Sequence, residues 1–328
     1  MLKRLFPDPF LLLILATVAA ASLWPPGPNG AVLVSATSSA AIFLLFFLHG
    51  AKIPAHVIVG AFAYWKLHAL VLVFTFVLFP LAALALKFAA PAALSQPLWL
   101  GVIFMCALPS TVQSSIAFTS IAGGNTAAAV AAASLSQILG VMLTPLLVGA
   151  LAGQRVHIDA AGFVSVAMQI LVPFLLGQIA RRWISAWIDR HKAKILLTDR
   201  ATILLAVFSA FSASARDGIW QRFDLRELGG VTFICLALLA LALWFTYLTG
   251  KAAGLPRGDR IVLQFCGTKK SLVQGVPMAR VLFPGPAAGV VLLPIMIFHQ
   301  LQLMACAWIA AHYAQSTPEA AETRATRH

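Results

Sequence analysis

Apolar residues recur along this chain in long, nearly unbroken runs, not in the alternation of a half-buried strand or the narrow stripe of a soluble helix. Ten runs reach or approach spanning length, at about residues 8–24, 31–49, 67–89, 98–120, 125–151, 161–180, 199–215, 229–250, 261–283 and 287–312. At a rise of 1.5 Å per residue, about 20 apolar residues cross a hydrocarbon core of about 30 Å. The pattern therefore predicts an all-α polytopic membrane protein with ten transmembrane helices. Composition agrees: 61% of the 328 residues are hydrophobic and 10% are charged, which excludes an ordinary soluble domain.

Charge then sets the orientation. The net charge of +13 does not form one basic patch, so nucleic acid is not an expected partner. Fifteen of the 23 Lys and Arg residues fall in loops on the side of the N-terminus and five in the opposite loops. Lys269, Lys270 and Arg280 fall inside span nine. By the positive-inside rule both termini are cytoplasmic, as an even span count requires, in a plasma (inner) membrane. The stretch Arg181 to Arg200, with Trp183 and Trp187, reads as a basic loop anchored on the inner leaflet. Residues 315–328 read as a disordered cytoplasmic tail. The N-terminal apolar run reads as a retained first helix, because Trp24-Pro25-Pro26 is a poor cleavage site. The four cysteines sit in apolar runs as small core residues, without metal-like spacing.

The basic stretch divides the spans into two sets of five, residues 1–156 and 157–314. An odd number of spans per half inverts the second half relative to the first, giving a 5+5 inverted repeat. Spans four and nine are interrupted at matching places. The first contains Pro109-Ser110-Thr111-Val112-Gln113-Ser114-Ser115 and then Gly123-Gly124-Asn125. The second contains Gly267-Thr268-Lys269-Lys270-Ser271-Leu272-Val273-Gln274-Gly275-Val276-Pro277. Such a pair is the best sequence pointer to a transporter's central site.

The lysines carry the sharpest chemistry. Counted from Arg260, Lys270 lies about ten residues, or roughly 15 Å, into the span. A charge near the bilayer centre is costly, so it should face a protein cavity. One lysine, Lys270 foremost, either replaces a bound cation or binds an anionic substrate, and a desolvated lysine can carry a coupled proton. The plainer alternative is an offset helix from which both lysines snorkel to the interface. Arg280, near the outer end of the same span, is expected to snorkel. Gln113, Ser114, Ser115, Thr268, Ser271 and Gln274 offer oxygens, and His299-Gln300 of span ten can line a cavity. No acidic residue falls within a span except near an end, which disfavours a carboxylate-based ion relay.

The motifs Ala107-Leu108-Pro109-Ser110-Thr111-Val112-Gln113-Ser114-Ser115 with Gly123-Gly124-Asn125, and Phe265-Cys266-Gly267-Thr268-Lys269-Lys270-Ser271-Leu272 with Gly275-Val276-Pro277-Met278, resemble the bile acid:sodium symporter superfamily. Within it the chain is most similar to the branch of the sodium/bile acid cotransporter 7-like proteins. The resemblance implies a panel domain of spans 1, 2, 6 and 7. It also implies a core domain of spans 3–5 and 8–10, in which spans four and nine unwind and cross. It implies alternating-access transport of an organic anion. In the sodium-coupled branch a Ser-Asn pair and a glutamate at the breaks hold sodium; here those positions are Ser114-Ser115 and Thr268. A span-three glutamine falls on Thr75. Span-five hydroxyls fall on Ala129 and Ala133, with Ser134 one residue away, and a His-Asn pair falls on His299-Gln300.

The expected function is a secondary transporter of a small organic anion and not an enzyme. The bilayer is its partner and no cofactor is expected beyond sodium or a proton as coupling ion. Any sodium site is expected near Ser114, Ser115 and Thr268. The alternative class is a membrane regulatory or interaction protein without transport of its own.

Overall fold

The computed structural model describes residues 9–52, 64–151, 167–218, 225–283 and 285–315. The cations Lys3, Arg4, Arg155 and Arg222, the boundary at 156–157 and the tail from 316 onward lie outside the described residues. The elements are α1 (Pro9–Leu23), α2 (Pro28–Lys52), α3 (Trp65–Ala89), α4 (Gln96–Ala107), α5 (Val112–Ile121) and α6 (Thr126–Leu151). They continue with α7 (Val172–Arg190, entered through a π turn over Ala167–Leu171), α8 (Lys192–Arg216), α9 (Leu225–Ala252), α10 (Arg257–Thr268), α11 (Leu272–Leu282) and α12 (Ala287–Gln315). Six of these helices are long and apolar enough to cross a membrane: α2, α3, α6, α8, α9 and α12. The α4–α5 pair, bent by 59° at its break, makes a seventh if counted as one span. The α10–α11 pair and its break carry Arg257, Asp259, Arg260, Lys269, Lys270 and Arg280, and are less apolar than the other spans.

Most helix ends lie within a few residues of the apolar runs. The basic stretch Arg181 to Arg200 is the exception: it is not a loop. The α7 helix continues to Arg190 and α8 begins at Lys192, so only His191 separates them. No glycine or proline interrupts residues 178–217, and Ala, Leu, Arg and Lys extend the helices by their own propensity. The aromatic anchors survive in helical form, with Arg182 3.8 Å over the Trp183 ring and His191 stacked on Trp187. A consequence is that Asp199 lies inside α8. There it is buried and pairs with Lys52 at 2.5 Å.

The helices pack as two groups. In the first, α1 packs on α8, and α2 packs on both α7 and α8. In the second, α4 and α9 pack on α12, α5 on α6, α10 on α3, α5, α6 and α9, and α11 on α12. The α8 helix joins the groups through α11 and α12. Large apolar side chains such as Leu33, Phe88, Leu146, Phe233, Trp244 and Trp308 face outward, as lipid contact requires.

Without a hydrophobic drive between helices in lipid, close approach depends on small residues. The α2–α7 crossing shows this reciprocally. A Cβ on Gly50 would overlap the Phe174 carbonyl oxygen, and one on Gly177 would overlap that of Phe47. Backbone cannot yield as a flexible side chain can. Gly177→Val is therefore expected to destabilise the detergent-purified protein by about 1–3 kcal/mol. The control Gly229→Ala, at a helical glycine with open space around it, should be neutral. Equal thermal midpoints for the two variants would contradict the crossing.

Candidate functional site

The α4–α5 helix breaks because Pro109 lacks an N–H and pushes Leu108 into an extended conformation, with ψ at 151°. Gly140 of α6 leaves room for the proline ring, since a Cβ there would come within 2.6 Å of it. The second break, Lys269 to Ser271, contains no glycine or proline. The glycines and proline of the interrupted motif lie to either side of it, Gly275 and Pro277 within α11 and Gly267 within α10. This break is held open by outside partners. The buried Gln302 of α12 accepts from the Lys270 N–H at 2.8 Å and donates to the Lys270 carbonyl at 2.9 Å, so one side chain satisfies both backbone groups.

The two breaks meet. The Ser271 N–H donates to the Pro109 carbonyl at 2.9 Å, and the Thr111 hydroxyl donates to the Lys270 carbonyl at 2.9 Å. The Ser110 N–H donates to the Ser136 hydroxyl at 3.0 Å, and the Thr144 hydroxyl donates to the Ala107 carbonyl at 2.8 Å. The backbone groups freed by unwinding thus find partners inside the protein, which is the condition for irregular backbone at membrane depth.

Lys270 closes the arrangement. Its Nζ donates to the carbonyls of Thr75 (2.7 Å), Cys106 (2.6 Å) and Leu108 (2.9 Å), with the Phe79 ring centroid 4.3 Å away. Three acceptors engage all three hydrogens of an ammonium group. The Thr75 carbonyl is free for a local reason. The π turn Phe74–Leu78 sends the Phe79 N–H to the Phe74 carbonyl, and Pro80 has no N–H to offer. Lys269 has the opposite environment. Its fully buried Nζ lies 4.0 Å from the Phe118 ring centroid and has no hydrogen-bond acceptor. The Ser114 hydroxyl, one turn before Phe118 on the same face of α5, is also unpartnered.

The family model for the SBF-like CPA transporter family matches residues 8–315. The chain belongs to that family. It is 47% identical over 322 residues (97% of this chain, 96% of the relative) to "Uncharacterized protein PA2026" of Pseudomonas aeruginosa. It is 41% identical over 316 residues (95% and 94%) to "Putative symporter YfeH" of Escherichia coli K12. It is 30% identical over 269 residues (80% of each chain) to sodium/bile acid cotransporter 7 of Danio rerio. The protein is thus a multi-pass membrane transporter of this family, with a bilayer environment and a small-solute cargo, and not an enzyme.

Several expected site residues of this SBF-like transporter gather around the breaks: Thr75, Ser115, Thr268, Lys269, Lys270 and Ser271. The Ser115 hydroxyl donates to the Phe265 carbonyl at 3.3 Å and that of Thr268 to Gln264 at 2.5 Å. Ser271 caps α11 by accepting from the Gln274 N–H, and the Gln274 Oε1 is buried without a partner. His299 Nδ1 lies 2.9 Å from the Gln302 amide, while Gln300 keeps an unpartnered Oε1. Ser134 is buried on α6, and Gln113 is exposed on α5. Asn125 is not brought to the breaks. It caps α6 and donates to Asp259 at 2.9 Å, ten residues and roughly 15 Å before Lys269 along α10. Gln302, which holds the second break, is also the partner of His299 on the same face of α12. A buried amide one turn after His299 on an apolar helix is the signal that marks it.

The oxygens do not fit a sodium ion at the Lys270 cage, because the protein's own ammonium fills it. Among the described residues no group of three His, Cys, Asp or Glu side chains comes together to hold a metal. Removing the two amines should have unequal effects. Lys270→Met strands three buried carbonyl oxygens and should lower stability by about 3 kcal/mol or more. Lys269→Met removes a buried charge without a counter-charge and should be neutral or stabilising. Denaturation midpoints in detergent measure both, and equal losses would contradict the assignment.

Proposed function

We propose that the protein is a secondary transporter that moves a small organic anion by alternating access, with Lys270 as a built-in cation in place of sodium. The single observation that carries this reading is the three-carbonyl cage around the Lys270 ammonium at the junction of the two breaks. Carbonyl oxygens converging on one point are what a hard cation requires. A covalently attached ammonium supplies the same charge permanently, so the break junction keeps its shape whatever the sodium gradient. Lys269, with no acceptor of its own, remains free to serve an anion or a proton.

In this reading the ten spans are α1, α2, α3, α4–α5, α6, α7, α8, α9, α10–α11 and α12, as a 5+5 inverted repeat over residues 1–156 and 157–314. The panel is α1, α2, α7 and α8, and the core is the remaining helices. Both termini are cytoplasmic in the plasma (inner) membrane. The matching positions of the two broken spans, fourth and ninth, support it, as does the segregation of contacts into two helix groups.

Uptake of a panel of organic anions into proteoliposomes, with sodium replaced by potassium or choline and with or without a pH gradient, tests the reading. Transport by the wild type is expected to persist without sodium. Lys270→Ala vacates the cage and should make the thermal midpoint rise with sodium but not with choline. A strict sodium requirement in the wild type would remove the built-in cation, and failure to move any anion would remove the transport role.

A further inference from the structure

Arg280 reaches across to another helix. It lies in the last turns of α11, partly buried, and its Nη2 donates to the Ser35 hydroxyl of α2 at 3.1 Å. That bond joins the second helix group to the first. The Nε on the same edge of the guanidinium plane is buried with no acceptor. No Asp or Glu of the described residues forms an ion pair with Arg280. One turn deeper on the same face of α2, Ser38 is buried and its hydroxyl is also unpartnered. A guanidinium in a membrane protein is rarely left with one neutral acceptor, because buried charge is otherwise paired. Its Nε and Nη2 form a fork that matches the two coplanar oxygens of an oxyanion. The site lies nine residues past Ser271, about 13 Å along α11, so it is separate from the lysine cage.

We propose that the Nε/Nη2 edge of Arg280 receives the oxyanion head, a carboxylate or sulfonate, of the transported solute, with the hydroxyls of Ser35 and Ser38 completing the site across the interface. The proposal rests on the organic-anion reading above and adds where the charged head binds. Ser35 holds Nη2 when the site is empty, and the oxyanion takes both donors when it is filled. The contact between α2 and α11 therefore changes with occupancy, which links cargo binding to the junction of the two helix groups.

The test uses the full chain in nanodiscs and phenylglyoxal, an arginine-selective reagent, with adducts located by peptide mass mapping. Benzoate and benzenesulfonate are the charged probes, and benzamide is the uncharged one. Both anions are expected to slow modification of Arg280 roughly tenfold at saturation, the factor for about 1.4 kcal/mol of protection. Benzamide should have no effect, and the exposed Arg216 should react alike throughout. Arg280→Lys keeps the charge but loses the fork, and the benzoate midpoint for thermal stabilisation should rise about tenfold. Ser38→Ala should raise it less. Unchanged Arg280 reactivity with either anion overturns the proposal. So does benzoate stabilisation that survives in Arg280→Lys but vanishes in Lys269→Met, which leaves the transport reading intact with the anion at the breaks. Protection of Arg280 in a protein that moves no anion would uphold the receptor and remove the transport role.

Discussion

The structure turns on one ammonium group surrounded by backbone carbonyls. Unwinding two helices inside a bilayer frees carbonyl and N–H groups that water cannot reach, and each left unpaired costs more than a typical hydrogen bond contributes. The proline break frees the Cys106 and Leu108 carbonyls, and the π turn before Pro80 frees that of Thr75. Lys270 collects all three from one point. Its own backbone is fixed by Gln302 and Thr111. The side chain, the two breaks and the helices around them therefore stabilise one another.

The adjacent lysines meet such different surroundings because of the backbone between them. Lys269 and Ser271 are extended, with ψ at 148° and 105°. In extended chain, successive side chains point to opposite sides. Lys270 turns toward α3 and α4, where the freed carbonyls are, and Lys269 turns toward Phe118 on α5, where there are none. Had the segment stayed helical, the two would diverge by about 100° on one cylinder. Unwinding is thus what allows neighbouring identical residues to take separate roles, one spent on structure and one left available.

The helices were legible in the sequence because lipid demands long apolar runs, and such runs are hard to mistake. The first break was legible from Pro109. The second was legible only through its chemistry, two lysines at mid-depth, since the residues that hold it open are Gln302, 32 positions away, and the carbonyl of Pro109. The carbonyl cage could not be read from residue types, because every non-proline residue carries the same groups, and which are free depends on distant register. The basic stretch failed as a loop because positive charge marks a membrane side without specifying coil. Asn125 failed as a break residue because a helix cap satisfies it first.

The same bonds constrain how the molecule can move. Lys270 ties α3 and α4 to the second break, Gln302 ties that break to α12, and Ser136 ties the first break to α6. These bonds couple the helices that meet at the breaks, while the two helix groups touch through α8 and α2 against α11 and α12 and through the π turn Ala167–Leu171 against α6. One hydrophobic core runs through both groups, and the polar connections between them are of a kind that can exchange partners. The Ser214 hydroxyl donates to the Pro286 carbonyl at 2.5 Å, and Arg280 reaches Ser35. A Cβ on Gly289 would collide with Ser214, so this approach also depends on a small residue. The chemistry at the centre is thus held by bonds among the helices that meet at the breaks, while the two helix groups meet through small residues and side-chain hydrogen bonds to backbone or hydroxyl oxygens.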